Sequence, residues 1–112
     1  MALIMDTITL EEFKKVEIRM GKITAAEKVA DADKLLKFQV DFGEFQRQIV
    51  SGIAESFTPE EMIGKTLPFV INLEYRKFKG EESQGMLMAI DAGDKTVLLE
   101  PASEVPAGTE VV

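Results

Sequence analysis

Apolar and polar positions alternate along most of this chain, in short runs broken by turn residues. Val16, Ile18 and Met20 fall to one face and Glu17 and Arg19 to the other, the pattern of a half-buried strand. Gly21 interrupts, and Ile23 and Ala25 resume in the opposite phase. A glycine at such a switch predicts a bulge, which bends a strand. Leu36, Phe38, Val40 and Phe42 predict the inward face of a second strand, with Lys37, Gln39 and Asp41 outward. Gly43 follows where a turn needs positive φ, and residues 45–50 form the partner strand. Runs at 67–73, 86–90 and 96–99 predict three more strands. Pro68 marks an edge position or a ladder end. Residues 91–94 read as a hairpin turn, and 101–112 as an extended tail with a type II turn at Pro106-Ala107-Gly108.

Two short stretches carry helix signals instead. Thr9 and Glu12 form a capping box, with Ile8 and Phe13 at the staple positions, predicting a helix over 10–15 that closes one end of the core. Thr58, Pro59 and Glu61 repeat the signal, with Gly64 just past the end. At about one and a half turns this second helix is unstable alone and must pack on something. A capped helix between the third and fourth strands of a five-strand set is the layout of the OB-fold. That fold is a Greek-key barrel binding nucleic acid across strands 2–3 and through its loops. The predicted class is therefore mainly β: a five-stranded Greek-key barrel with short capping helices and a C-terminal extension. An SH3-like barrel is the competing layout, but it has no capped helix at that place.

At 112 residues the chain is one domain by length, its core spanning about 13–100. Cysteine and histidine are both absent. There is no thiolate, no imidazole base and no Cys/His metal site, so hydrolase, transferase and metalloenzyme readings lose their usual residues. Neither phosphate-cradling glycine motif occurs, and no metal or other cofactor is expected. Asp31-x-Asp33 lacks the glycine and terminal glutamate of a calcium loop. No apolar run approaches the roughly 20 residues of a membrane span, and the start lacks the basic flank of a signal peptide. A cytoplasmic protein without membrane contact is expected.

Net charge is −7, which argues against a general nucleic-acid binder. The distribution changes that picture. Residues 14–37 hold seven Lys/Arg against four Asp/Glu, and 72–79 hold three against one. Residues 81–112 hold one against seven. If the two basic segments meet, one face is positive on an acidic body.

The stretch with the most chemistry is 72–86, N-L-E-Y-R-K-F-K-G-E-E-S-Q-G-M. It reads as a long polar loop, which is uncommon unless it binds something. Arg76, Lys77 and Lys79 supply phosphate-seeking charge, and Tyr75 and Phe78 supply flat faces for stacking. Alternatively it is a solvated connection.

The motifs F-K-K-V-E-I-R-M-G-K-I at 13–23, D-K-L-L-K-F-Q-V-D-F-G at 33–43, R-Q-I-V-S-G-I at 47–53 and the 72–89 stretch occur in that order. With them the chain resembles the tRNA-binding domain found at the C-terminus of many methionyl-tRNA synthetases, as their beta subunit, or as a stand-alone protein. The likeness runs from about residue 8 to 111. It implies structure-specific, largely sequence-independent tRNA binding without catalysis, as a homodimer or beside a methionyl-tRNA synthetase catalytic chain. It also implies an RNA surface on Lys34, Lys37, Arg47, Ser51, Asn72, Arg76, Lys77, Ser83 and Met86. Lys79 and Gln84 join them on chemical grounds. Two plainer roles compete: a core position for Met86, and a cross-strand acid partner for Arg47. A second branch of the family consists of dimeric, secretion-related chaperones that bind peptides, the alternative function. The dimer interface is expected to involve the N-terminal segment and residues 97–112, because Leu3, Ile4, Val105, Val111 and Val112 have little reason to be exposed.

Overall fold

The computed structural model of the chain describes residues 5–112, so the expectations for Leu3 and Ile4 lie outside the described residues. Its centre is a nearly closed, antiparallel five-stranded barrel, the predicted OB-like class. Strand β1 spans Ile18–Lys28, β2 Leu36–Asp41, β3 Gln46–Ser51, β4 Thr66–Val70 and, after the hairpin described below, β7 Met86–Leu87. The order across the sheet is β3-β2-β1-β4-β7, and β3 comes round to lie against β7.

Period-two patterning fixes the inside. Leu36, Phe38, Val40 and Phe42 are all buried, with Ile23, Ile49, Leu67 and Phe69 opposite them. The long first strand serves two neighbours. Its first half pairs with β4 (Met20 against Pro68) and its second half with β2 (Ala26 against Phe38). The bend differs in detail from expectation. Met20 and Gly21 are both buried, as a phase switch requires, but the register shift falls between Ile23 and Ala25. Ala25 is therefore exposed, and Ala26 turns to the core. Gly21 serves the bend in another way, because a Cβ there would stand 2.5 Å from Val40 Cγ1 and 2.6 Å from Phe42 Cε1. The glycine lets two side chains of the neighbouring strand approach the backbone where the barrel bends. Val16 lies before the strand and stays exposed.

Helix α2 (Pro59–Met62) plugs the barrel end as its caps predict. Thr58 Oγ1 accepts from the Glu61 amide, and fully buried Met62 drives into the core. Pro68 sits where the β4–β7 ladder ends, since β7 pairs only with Phe69 and Val70. Its carbonyl still accepts from the Met88 amide at 3.0 Å. That contact splits the predicted 86–90 strand into β7 and β8 (Ala89–Asp91), and β8 pairs with β9 (Thr96–Leu98).

Helix α1 (Leu10–Phe13) corrects one expectation. The capping box forms, but the helix has no buried residue, and Ile8 and Phe13 remain 62% and 48% exposed. It does not close the core within this chain. The C-terminal tail does more than expected. Gly108 takes the positive φ of the predicted turn, and its amide donates to the Met20 carbonyl at 2.7 Å. The Val111 amide donates to the Ile18 carbonyl at 2.9 Å, so the tail runs along the free side of β1's first half.

Candidate nucleic-acid interface

The 72–86 stretch is not an open loop. Strand β5 (Arg76–Phe78) turns through Lys79-Gly80 into β6 (Glu81–Ser83), and this hairpin docks on the outer edge of β3. The cause is the unpaired edge that β3 would otherwise expose, a row of N–H and C=O groups that needs partners. The Gln48 amide donates to Gln84 Oε1 at 2.9 Å, and the Gln84 amide returns a bond to the Gln48 carbonyl at 2.7 Å. Two residues on, the Val50 amide donates to Ser83 Oγ at 2.9 Å, and that hydroxyl donates to the Gly85 carbonyl at 2.8 Å. Two side chains thus do what a strand backbone does elsewhere in the barrel. Gly85 permits the approach, since a Cβ there would stand 2.9 Å from the Val70 carbonyl oxygen.

Several candidate RNA ligands are committed to this docking. Ser83 is buried, and Gln84 is half-buried and fully engaged. Arg47 has no acidic partner among the described residues. One Nη donates to the carbonyls of Ile71 (3.0 Å) and Gln84 (2.9 Å), and its guanidinium carbon lies 4.9 Å from the Phe45 ring centroid and 5.6 Å from that of Tyr75. Lys37 bridges Glu27 at 2.9 Å and Glu81 at 2.8 Å, tying β6 to β2 across the sheet. The hydrogen bonds to Glu81 and then Glu27 hold its ammonium above the ordinary value of 10.5. Asn72 accepts from the Glu17 amide and donates to the Lys15 carbonyl, fastening the chain before β1.

Of the remaining candidates, Lys34, Arg76, Lys77, Lys79 and Met86 are exposed and fall in two places. Lys34, from the turn between β1 and β2, meets Lys77 and Lys79 around one groove of about 610 Å³. Its floor and walls include Ala32, Leu35 and Phe78. The two basic segments do therefore meet, and they meet between the loops through which OB barrels bind nucleic acid. On the hairpin's other side, Arg76 and Met86 line a small cleft of about 70 Å³ with Leu73 and Phe78. Met86 is 48% exposed, so it is not a core residue, and Arg76 stacks over Phe78 at 4.9 Å. Ser51 lines neither groove. Asp31 and Asp33, which sequence offered only as a weak calcium signal, prove to line the larger groove. Asp31 carries a readable clue, because aspartate tolerates the left-handed backbone it adopts there, φ 58°.

A larger groove, about 730 Å³, lies between Gly64 and the 100–107 tail. Its charge is balanced rather than basic: Lys22 and Lys65 line it with Glu100 and Glu104, and Lys65 is paired with Glu100 at 3.0 Å. Among the described residues, no helix is long and apolar enough to cross a membrane.

Comparison with known proteins gives a consistent result. A family model described as "Putative tRNA binding domain" matches residues 18–110. A methionine–tRNA ligase of Archaeoglobus fulgidus is 49% identical over 106 residues, which is 95% of this chain and 16% of the ligase. One from Porphyromonas gingivalis is 46% identical over 109 residues, again 16% of its length. This chain therefore spans about a sixth of the curated relatives it matches. Among solved structures, a MetRS-related protein from Pyrococcus horikoshii superimposes with a TM-score of 0.92 at 43% identity, over 96% of this chain and all of that one. The chaperone CsaA of Bacillus anthracis superimposes with a TM-score of 0.86 at 27% identity, over 96% and 100% of the two chains.

Proposed function

Since the chain belongs to the tRNA-binding domain family, we propose that it recognises tRNA by shape and backbone charge and performs no chemistry of its own. The observation that carries this reading is the convergence of Lys34, Lys77 and Lys79 around an apolar groove on a chain of net charge −7. Lysines on a loop rim neutralise phosphates, which supplies affinity with little regard to sequence. The acidic remainder of the molecule discourages binding by any other face. Arg76 and Met86 extend the contact along the hairpin, one with charge and one with a soft apolar surface. Lys37, Arg47, Asn72, Ser83 and Gln84 serve the same function indirectly, by fixing the hairpin and its surroundings in place.

The module acts in the cytoplasm as a homodimer or beside a methionyl-tRNA synthetase catalytic chain, with residues 1–112 folding as one unit. The apolar side chains that the barrel leaves uncovered support a dimer. Met5, Ile8, Leu10 and Phe13 are exposed near the N-terminus, as are Val97, Leu99 and Val111 toward the C-terminus. A peptide-binding chaperone is the second reading, favoured by the likeness to CsaA. Competition binding separates the two. Deacylated tRNA should displace a labelled tRNA far better than an RNA duplex of equal charge, and an unfolded peptide should not displace it at all. Equal displacement by tRNA and duplex refutes shape recognition, and displacement by peptide alone favours the chaperone.

A further inference from the structure

We propose, building on the tRNA-binding reading above, that the groove between the 29–35 turn and the β5–β6 hairpin seats one unstacked nucleotide of the bound RNA. Its base would lie against Phe78, and its backbone would run along Lys77 and Lys79. The groove's volume, about 610 Å³, falls within the ~300–1,000 Å³ that small-molecule sites span. Its two walls differ in charge. The hairpin wall carries only cations, Lys77 and Lys79, while the turn wall carries Asp31 and Asp33 beside Lys34. A phosphate is therefore drawn to the hairpin side, and a base with N–H donors is accepted on the turn side. Between the walls, Leu35, Ala32 and the half-buried Phe78 form the apolar surface that a stacked base needs. Arg76 stands over the Phe78 ring at 4.9 Å, so a base stacks on the opposite face, completing a sandwich.

The backbone supplies a separate observation. Among the described residues only two that are not glycine have positive φ, Asp31 (58°) and Lys79 (52°), and both line this groove. Lys79 and Gly80 (φ 81°) form a two-residue hairpin turn with positive φ at both positions, where Asn-Gly is the favoured pair. A lysine strains that turn and gains the fold nothing in return: it is exposed and has no ion-pair partner among the described residues. Strained residues at a groove rim mark ligand clamps, and here the strain places an ammonium at the groove.

The test uses the full chain with Phe78→Leu, Phe78→Trp and Lys79→Asn. Binding of deacylated tRNA is measured across a salt series, with thermal melts alongside. Phe78→Leu should weaken binding by roughly 5- to 150-fold, the worth of one stacked base, with the salt slope unchanged. Phe78→Trp should retain wild-type affinity, which a merely structural role for the smaller ring does not require. Lys79→Asn should raise the melting midpoint by about 2–4 °C through relief of the turn. It should also weaken binding and flatten the salt slope by about one. A direct readout covers the case in which Phe78→Leu fails to fold. The Leu35 methyl resonances of the wild type should move upfield with a single-stranded RNA hexamer and stay in place with ribose 5-phosphate. Undiminished tRNA affinity in both Phe78→Leu and Lys79→Asn overturns the nucleotide slot while leaving the tRNA-binding reading standing. Equal methyl shifts with ribose 5-phosphate also overturn the slot, whereas a wild type that ignores tRNA removes both.

Discussion

Replacing Ser83 with alanine tests whether this residue builds the site or touches RNA. Ser83 is 3% exposed, and its hydroxyl accepts from the Val50 amide at 2.9 Å and donates to the Gly85 carbonyl at 2.8 Å. Alanine removes both and leaves the Val50 N–H, in a buried residue, with no acceptor. Stranding a buried donor costs about 1–3 kcal/mol. The volume change is a single oxygen, so no cavity term adds to it. For a domain of this size that is a fall in melting midpoint of roughly 4–12 °C. Urea unfolding monitored by circular dichroism should give the same free energy with an unchanged m-value, since the barrel still unfolds as one surface. Affinity for tRNA should fall only as far as the hairpin loosens, and the salt slope should not move, because no phosphate contact is lost. A variant as stable as wild type, within about 0.5 kcal/mol, that binds tRNA much more weakly would refute the structural assignment. Ser83 would then be an RNA ligand.

Two further outcomes follow from the structure. Lys37 is held above its ordinary pKa by Glu81 and Glu27, so the stability it contributes is fully present below 10.5 and is lost as pH rises through the raised value. Lys37→Met should therefore flatten the alkaline limb of a stability-versus-pH curve, and an unaltered limb argues that the pairs contribute nothing. Light scattering at micromolar concentration should return twice the 12.4 kDa chain mass, and Phe13→Asp or Leu10→Asp should halve it. A wild-type monomer rules out the dimer.

How much of this was legible in the sequence depended on whether the cause was local. The strand faces were, because Leu36, Phe38, Val40 and Phe42 can share a face only with a period of two. Both capping boxes were, because they close within four residues. What α1 packs against was not, since none of its residues is buried by the barrel. The hairpin at 72–86 was missed because it barely alternates; its fold is dictated by the open edge of β3, thirty residues away. The candidate residues divide along the same line. Sequence identifies a Gln, Ser or Arg as able to bond RNA, but not whether a backbone group of the chain reaches it first. Arg47, Ser83 and Gln84 were claimed by backbone, and Lys37 by two carboxylates. The convergence of Lys34 with Lys77 and Lys79 needed the fold, although the charge clustering had posed the question.

The measurement that bears most directly on the central claim is the salt dependence of tRNA binding by wild type and by the Arg76→Ala/Lys77→Ala double variant. Both residues are exposed, and neither forms an ion pair among the described residues. Their loss should leave stability within about 0.5 kcal/mol. If the hairpin face holds tRNA through roughly four to six phosphates, wild type should show a log–log slope of about −3 to −5. The double variant should bind more weakly, with a slope flatter by about 1 to 2. A double variant with both affinity and slope intact would contradict the account and move the tRNA site elsewhere on the molecule.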